Sequence, residues 1–305
     1  MTGRVVVVGD ALIDELRDDT GVREFVGGAA LNVAVGLSRL GVPATLIAMV
    51  GDDEAGDHIR SYLRDFGVDL IETPSLHGSS RAVSTRTGGG EPTYVFNEAA
   101  QKRRVRFGEA ERTALADAPF AVVSCFPFDD VAQTLEFAEA VRDAGTRLAI
   151  DPNPRSGMMS DRAEFLRGFE SLAAGAALVK VGEDDATLLY GEPLDALRAR
   201  LVDLGVEAVL ATQGSAGAAI EAGPDVVTRP ISSLPGRIVD TMGGGDAAFA
   251  TTVAGLIENP PSDADAWGAL LEHAMDVAAA TCRFEGALLR LPSSVEGIDL
   301  DRIGT

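Results

Sequence analysis

The sequence has few cysteines and no long apolar run at its start. Cys125 and Cys282 form no C-x-x-C pair, and no histidine lies near either at zinc-ligand spacing, which argues against a zinc site. Two free thiols are typical of a reducing compartment. The first apolar run, residues 5–8, is too short for a signal peptide or a membrane span. We therefore expect a cytoplasmic protein with no membrane partner.

Positive charge is also scarce. The 305 residues contain 26 Lys plus Arg against 47 Asp plus Glu, for a net charge of −21. Such an acidic chain repels phosphate backbones, which argues against a nucleic-acid partner. The densest basic run, residues 102–106, is interpreted as a solvated strand or turn. The lysines are Lys102 and Lys180, and no G-x-x-x-x-G-K-[ST] motif occurs, which excludes a Walker-type NTPase.

Short apolar runs alternate with amphipathic stretches along the chain. Apolar residues make up 46% of the sequence, enough for a sizeable core. The alternation predicts a mostly parallel sheet with helices on both faces, and such sheets bind ligands at the carboxyl ends of their strands. The predicted strands span residues 5–8, 44–50, 121–124, 148–150, 177–180 and 208–212. The predicted helices span residues 29–40, 54–66, 131–144 and 164–173.

Two segments do not follow this alternation. Residues 12–26 are rich in charge, and residues 79–106 alternate weakly around glycines at 88–90. We expect these segments to supply a few strands outside the main sheet, joined by a glycine turn. No linker or repeat divides the chain, so residues 1–305 are predicted to form one domain with the two segments inserted.

The most informative segment is IVDTMGGGDAAFA, residues 238–250. A strand is predicted to end near Val239, and three glycines then precede Asp246 and a run of helix formers. Successive glycine N–H groups at a helix N-terminus make an anion site. If a phosphoryl group occupies that site, the Asp246 carboxylate can take the proton of the attacking hydroxyl. The alternative is that Asp246 only caps the helix.

The same segment also fits the dinucleotide fingerprint G-x-G-x-x-A. That fingerprint needs a second strand after the helix, with an acidic residue about 20 positions on. Here Asn259, Pro260 and Pro261 follow the helix, and then a second helical stretch. The sequence therefore argues against a NAD-dependent oxidoreductase.

A second glycine segment, GGAALNVAVGLSRLG, spans residues 27–41. Gly27 and Gly28 before a helix let a ligand approach the backbone, and Asn32 offers a donor and an acceptor to hydroxyls. Asp10 follows the first predicted strand, at the edge where ligands bind, and a carboxylate accepts hydrogen bonds from sugar hydroxyls. Each also fits a local role, Asn32 near a helix cap and Asp10 in a turn.

Together these segments resemble the N- and C-terminal signatures of the ribokinase/PfkB carbohydrate kinases. The C-terminal signature is usually written D-T-x-G-A-G-D. Other similar pieces occur between the signatures in the expected order: VGDDEAG, GVD, DPNPR, VKVGEDD and ATQGSAG. The resemblance covers essentially the whole chain, and the pairing of the two signatures is far more specific than a single glycine loop.

The resemblance implies an α/β fold, a ribokinase-like three-layer Rossmann-like sandwich with a mostly parallel central sheet and a small β lid. It implies transfer of the ATP γ-phosphate to a sugar hydroxyl, with Asp246 as base. The implied anion hole is formed by Gly243, Gly244 and Gly245. The implied sugar-binding residues are Asp10, Gly27, Gly28, Asn32 and Arg155. The implied ATP-binding residues are Lys180, Thr212, Gly214 and Gly217.

The resemblance has two departures. Gly244 stands where the family usually has alanine, and the family's N-x-x-E motif, tied to Mg²⁺, is replaced by GEDD at residues 182–185. Glu183 and Asp185 are candidate Mg²⁺ ligands acting through water, since Mg²⁺ keeps several waters. A monovalent cation such as K⁺ is common beside the loop in relatives, and Asp240 is its candidate ligand here.

The segments GDALID, DPNPR and GALLRLP are most similar to fructokinases. 2-Keto-3-deoxygluconate kinases and ribokinases are close alternatives, and a nucleoside kinase is a weaker one. The altered N-x-x-E motif also leaves open a silent relative that only binds sugar or nucleotide, although the intact Asp246 argues against it.

We further expect a homodimer that forms through the lid, because a small sheet with one solvated face is marginally stable by itself. The lid is also expected to close on the sugar. The apolar lid residues are expected to form one buried face: Val22, Phe25, Val83, Tyr94 and Phe96.

Overall fold

The structure is a computed structural model that describes residues 3–19, 21–85 and 93–295. The strands are β1 (Val5–Gly9), β2 (Leu12–Asp18), β3 (Gly21–Gly27), β4 (Ala44–Val50), β5 (Asp69–Pro74), β6 (Ser80–Thr85), β7 (Thr93–Phe96), β8 (Phe120–Ser124), β9 (Arg147–Asp151), β10 (Leu178–Gly182), β11 (Ala208–Thr212), β12 (Ala218–Ala222) and β13 (Asp225–Arg229). The helices are α1 (Ala29–Arg39), α2 (Glu54–Asp65), α3 (Glu98–Gln101), α4 (Glu109–Ala116), α5 (Val131–Ala144), α6 (Arg162–Ala173), α7 (Glu183–Asp185), α8 (Leu194–Asp203), α9 (Gly244–Glu258) and α10 (Ala264–Thr281). A π-helical turn, Ala186–Tyr190, follows α7.

The main sheet has nine strands in the order β13-β12-β11-β10-β9-β8-β1-β4-β5. Its pairs are parallel except for β11–β12 and β12–β13. Residues 5–8 of β1 are buried on both sides, since alternate valines belong to two different core clusters. One cluster includes α1, α9 and α10, and the other includes α5, α6 and α8. The mostly parallel sheet with helices on both faces is confirmed.

One predicted strand is wrong. The chain from residue 230 to residue 243 is not a strand, and the N–H groups of Val239 and Asp240 both donate to the Cys282 carbonyl, at 2.9 and 3.2 Å. Pro230 and Pro235 lack the N–H groups that a strand ladder needs. The glycine segment is therefore reached through an irregular coil held by residues after α10.

A second, four-stranded sheet has the order β3-β2-β6-β7. Strands β2 and β3 come from the first predicted insertion, and β6 and β7 come from the second. Strands β2 and β6 are parallel, whereas β2–β3 and β6–β7 are antiparallel. The predicted glycine turn at residues 88–90 lies outside the described residues. We call this second sheet the lid.

The prediction that the apolar lid residues share one face is wrong. Phe25 and Phe96 lie in one cross-strand row, whereas Val83 lies one row away and Val22 lies three rows away. Both valines therefore point to the opposite face. Weak alternation in the sequence does not fix which strands pair, so the faces could not be assigned from it.

The face with Phe25 and Phe96 lies against the carboxyl edge of the main sheet. A Cβ atom on Gly286 would lie 3.6 Å from the Phe25 ring, and a Cβ atom on Gly157 would lie 2.8 Å from the Phe96 ring. The lid thus covers the edge at which the polar residues of the main sheet collect. No helix in the described ranges is long and apolar enough to cross a membrane.

Candidate active site

Five main-sheet strands end at one edge, four of them in residues with polar or reactive side chains. Asp10 and Cys125 directly follow β1 and β8, and Asp151, Gly182 and Thr212 are the last residues of β9, β10 and β11. Parallel strands place their carboxyl ends together, so these residues share one crevice under the lid.

Asp10 is fixed by the start of α1. Gly28, the N-cap of α1, has φ of +107° and no side chain that could cap the helix. The Asp10 carboxylate fills this role, since its Oδ1 accepts the Ala30 N–H at 3.0 Å. Burial raises the pKa of Asp10, opposed by the Ala30 hydrogen bond and the charges of Arg103 and Arg155. One oxygen of Asp10 thus caps α1, and the carboxylate also accepts a hydrogen bond from the Cys125 thiol.

Asp246 lies in the first turn of α9, but it does not cap that helix. The N-cap is Gly243, and the Asp246 Oδ2 accepts a hydrogen bond from Asn32 Nδ2 at 2.8 Å. Burial raises the pKa of Asp246, opposed by the Asn32 hydrogen bond and by the charges of Lys180 and Arg155. The two glycine segments therefore meet through one hydrogen bond, and neither the capping alternative for Asp246 nor that for Asn32 accounts for it.

The glycine turn before α9 needs small residues. Gly243 has φ of +75°, and a Cβ atom there would lie 2.6 Å from the Ala287 backbone. A Cβ atom on Gly245 would lie 3.3 Å from Lys180 Nζ. Within the described chain, the N–H groups of Gly245 and Asp246 donate to no other group. These free donors at a helix N-terminus are suited to bind an anion.

Lys180 places a fixed positive charge beside this turn. Its Nζ lies 3.1 Å from Asp151 Oδ2, and both side chains are almost fully buried. Burial alone would lower the pKa of Lys180, but the charges of Asp151, Asp185 and Asp246 outweigh it and raise that pKa. Lys180 is therefore charged near neutral pH, and its ammonium lies within reach of an anion on the glycine N–H groups.

The predicted Mg²⁺ ligands differ in placement. Asp185 is buried, and its Oδ2 accepts the Gly182 N–H at 2.7 Å, whereas Glu183 is exposed. Burial raises the pKa of Asp185 to about 6. No group of three or more acidic, His or Cys side chains in the described ranges could hold a metal. This arrangement fits Mg²⁺, which proteins hold through one or two carboxylates together with substrate phosphates.

Asp240 ties the glycine turn to a second loop. Its Oδ1 accepts the Met242 N–H at 3.0 Å, and its Oδ2 accepts the Gly286 N–H at 3.1 Å. Each carboxylate oxygen keeps a further lone pair. A cation beside Asp240 is chemically reasonable, and the carboxylate already has a structural role without it.

The loop after β11 lies on the other side of the crevice. Gly214 and Gly217 have φ of +50° and +99°, and Gln213 donates its N–H to the Gly217 carbonyl at 2.8 Å. Thr212 Oγ1 donates to the Val181 carbonyl at 3.4 Å. This tight loop borders the start of the coil of residues 230–243, because a Cβ atom on Gly217 would lie 2.8 Å from Pro230 Cα.

Comparison with known proteins identifies the family. The model of the pfkB family carbohydrate kinases matches residues 2–292. The chain belongs to this family. A fructokinase from Klebsiella pneumoniae is 30% identical over 305 residues, which is 96% of this chain and 97% of the relative. This protein is therefore an ATP-dependent carbohydrate kinase.

Two solved structures show the same fold. Aminoimidazole riboside kinase from Salmonella enterica, complexed with aminoimidazole riboside and an ATP analog, has a TM-score of 0.79 at 26% identity, covering 96% of this chain and 98% of its own. A fructokinase variant from Vibrio cholerae, in a form with fructose, ADP and potassium ion bound, has a TM-score of 0.76 at 22% identity, covering 94% of each chain.

The kinase has an acidic residue at the crevice that the sequence reasoning missed. Asp14 lies on β2 of the lid, and a Cβ atom on Gly27 would lie 2.2 Å from its Oδ2. Burial and the charge of Asp10 raise the pKa of Asp14 to about 7, with smaller effects of the other charges in the crevice. Its only signal in the sequence was its position as the second acid of GDALID.

Arg103 was also misinterpreted as part of a solvated basic run. Lys102 and Arg104 are exposed, but Arg103 turns inward and donates to the carbonyls of Cys125 and Met158, at 3.1 and 3.2 Å. Arg103 and Asp10 line the same pocket. The residue pattern could not single out Arg103, because its partners are backbone carbonyls on other elements.

Arg155 follows β9 in the segment DPNPR. Its side chain is exposed, and among the described residues it makes no hydrogen bond or ion pair. Its charge nevertheless opposes the burial effect on the pKa of Asp10, Asp14 and Asp246. The kinase therefore has an unpaired guanidinium group beside its cluster of carboxylates.

Proposed function

We propose that this kinase phosphorylates a sugar hydroxyl in the manner of a fructokinase, with Asp246 as the base. The observation that carries the proposal is the Asn32–Asp246 hydrogen bond beside the free N–H groups of the glycine turn. Asn32 holds the carboxylate toward the acceptor hydroxyl. Asp246 accepts the hydroxyl proton as the new P–O bond to the sugar forms and the bond between the γ-phosphorus and ADP breaks, so that ADP leaves. The N–H groups of the Gly243–Gly245 turn stabilise the negative charge of the transferred group.

The sugar end of the site is assigned to the residues next to the lid. The carboxylates of Asp10 and Asp14 and the amide oxygen of Asn32 accept hydrogen bonds from sugar hydroxyls. Gly27 and Gly28 leave room for the sugar near the backbone. Lid closure over these residues excludes water, which would otherwise compete with the sugar as acceptor.

The ATP end of the site is assigned to the loops after β10 and β11. Lys180 binds a phosphate oxygen, and Thr212, Gly214 and Gly217 border the nucleotide. Asp185 or Glu183 would hold the waters of a Mg²⁺ ion, which would neutralise charge on the ATP phosphates. Asp240 would hold a K⁺ ion, which would rigidify the turn; a potassium ion is bound in the Vibrio cholerae relative.

A second candidate substrate is 2-keto-3-deoxygluconate. The observation that favours it is the pair of guanidinium groups near Asp10, those of Arg103 and Arg155, because a guanidinium group suits the carboxylate of a sugar acid. Asp10 and Asp14 repel that carboxylate, so fructose remains the first choice. The riboside bound in the Salmonella enterica relative makes a nucleoside the third candidate.

The test is sugar-dependent ADP release with a panel of fructose, ribose, 2-keto-3-deoxygluconate and nucleosides. Replacing Asp246 by Asn is expected to lower kcat by about 10²–10⁴-fold for the preferred sugar, the usual contribution of a general base. ATP binding should persist. The matched control is Asp65→Asn, which changes an exposed carboxylate at the end of α2. Near-normal turnover of the Asp246→Asn variant would refute the assignment of the base.

A further inference from the structure

The thiol of Cys282 lies against the middle of the glycine turn. A Cβ atom on Gly244 would lie 2.9 Å from the Cys282 Sγ, a distance that real Cβ atoms essentially never show. Cys282 is the C-cap of α10, so its backbone is held by that helix. The sulfur therefore occupies the space that a side chain at position 244 would need.

Cys282 also holds the segment that leads into the turn. Its carbonyl accepts the N–H groups of Val239 and Asp240, at 2.9 and 3.2 Å. Asp240 in turn accepts the Met242 N–H at 3.0 Å. Two different atoms of Cys282 thus contact the chain on either side of residues 241–243, and the position of Cys282 determines where the turn begins and how close Gly244 approaches α10.

The other two glycines are restricted in different ways. A side chain on Gly243 would meet the Ala287 backbone at 2.6 Å, which cannot move aside without moving the chain. A side chain on Gly245 would meet the end of the Lys180 side chain at 3.3 Å, a smaller conflict. Only at Gly244 does a single short side chain, the Cys282 thiol, cause the restriction.

We propose that Cys282 is a positioning residue for phosphoryl transfer, and that Gly244 is its required partner. The thiol fixes the distance between the Gly244 peptide and α10. It thereby directs the N–H groups of Gly245 and Asp246 toward the transferred phosphoryl group. The usual family signature has alanine at this position, and in this chain the sulfur takes the space of that methyl group. The inference rests on the proposed role of the turn as anion hole.

The test is a double-mutant cycle on Gly244→Ala and Cys282→Ala, with kcat and both KM values measured. Gly244→Ala should push the turn away from α10 and lower kcat by about tenfold or more, since misplacing anion-hole donors costs up to 10²–10³-fold. Cys282→Ala should also lower kcat, but by a smaller factor, because the carbonyl of residue 282 still accepts the Val239 and Asp240 N–H groups. The double variant should recover to within about threefold of Cys282→Ala, because residues in contact are energetically coupled.

A matched control separates this steric pairing from general loosening of the turn. Gly243→Ala should lower kcat equally in the native and the Cys282→Ala backgrounds, because the Ala287 backbone blocks it in both. Thermal unfolding of each variant establishes that it is folded. If Cys282→Ala restored the kcat of Gly243→Ala, the proposal would be overturned. The recovery would then not depend on the contact between the Cys282 thiol and position 244.

Two further outcomes would overturn the inference. Unchanged kcat in Gly244→Ala would mean that the thiol moves aside freely, and an equally inactive double variant would mean that Gly244 is needed for another reason. Failure of the proposed function itself is recognised separately, by normal turnover of Asp246→Asn, whatever the cycle on Gly244 and Cys282 shows.

Discussion

At the residue scale, the crevice concentrates carboxylates that burial makes harder to ionise. Asp10, Asp14 and Asp246 all have raised pKa values, with burial as the first cause. Lys180 and Arg155 supply the opposing positive charge. The proposed base, Asp246, must be ionised to accept a proton, so the proposed mechanism gives the charge of Lys180 a role in catalysis as well as in binding phosphate.

Replacing Lys180 by Met is expected to shift the acid limb of the pH dependence of kcat/KM to higher pH. The Lys180 charge lowers the pKa of Asp246, so its loss lets burial raise that pKa further. Under the proposed mechanism, activity requires the Asp246 carboxylate and is lost as the pH falls through this pKa, so the loss is expected to begin at a higher pH. The matched control is Lys102→Met, at the other, exposed lysine. A limb that coincides with that of the native enzyme would show that Lys180 does not act on the base.

Asp14→Asn is expected to stabilise the ligand-free protein at high pH. The pKa of Asp14 is raised from 3.8 to about 7 in the folded protein, so the folded state binds its proton more tightly than the unfolded state does. The stability from this group is present below the unfolded pKa and is lost as the pH rises through the folded pKa. The thermal midpoint of Asp14→Asn relative to the native protein should therefore rise between about pH 4 and about pH 7 and level off above that pH. A constant difference would contradict the raised pKa.

At the element scale, the regular elements could be predicted because their patterns are local. Strand β4 and helix α5 have the predicted bounds, because an apolar run and a helical periodicity depend only on residues that are close in sequence. The Asn32–Asp246 hydrogen bond joins residues 214 positions apart. Each residue was found by its glycine segment, but that they meet is set by the packing of α1 on α9, which no local pattern encodes.

In the lid, too, local sequence patterns could not predict which distant segments pair. Its strands were expected in residues 12–26 and 79–106, but the pairing of β2 with both β3 and β6 decides which side chains face the crevice. It is attached to the main core through Ile13 of β2, which is buried in one core cluster, whereas its outer part, residues 21–24 of β3, is exposed. Elements with few buried apolar contacts open easily.

Hydrogen exchange in β2, β3, β6 and β7 is therefore expected to slow when the preferred sugar is added. Closure would bury the face that carries Asp14 and reduce local opening of the lid. Strand β4, buried throughout the main sheet, serves as the internal reference. Unchanged exchange in the lid at saturating sugar would mean that the lid is a rigid platform.

At the scale of the whole molecule, one face of the lid is a candidate surface for dimerisation. This outer face lies opposite the face with Phe25 and Phe96 and points away from the crevice. Val22 and Val95 are 61% and 64% exposed on this face, next to the partly buried Val83. A small sheet with a solvated face is marginal by itself, so covering these valines would stabilise the lid. The two copies would each carry a charge of −21, and their repulsion opposes this contact at low salt.

We predict that the kinase is a homodimer through this outer face, with the lid of one copy against that of the other. Sedimentation at micromolar concentration should give about twice the chain mass of 31.7 kDa, and added salt should strengthen the dimer by screening the repulsion. Val95→Arg should give the chain mass, because it places a charge at the centre of the contact. Leu135→Arg is the matched control, since Leu135 is also 64% exposed but lies on α5, away from the lid. A native protein that sediments at 31.7 kDa, or dissociation by Leu135→Arg as readily as by Val95→Arg, would contradict assembly through the lid.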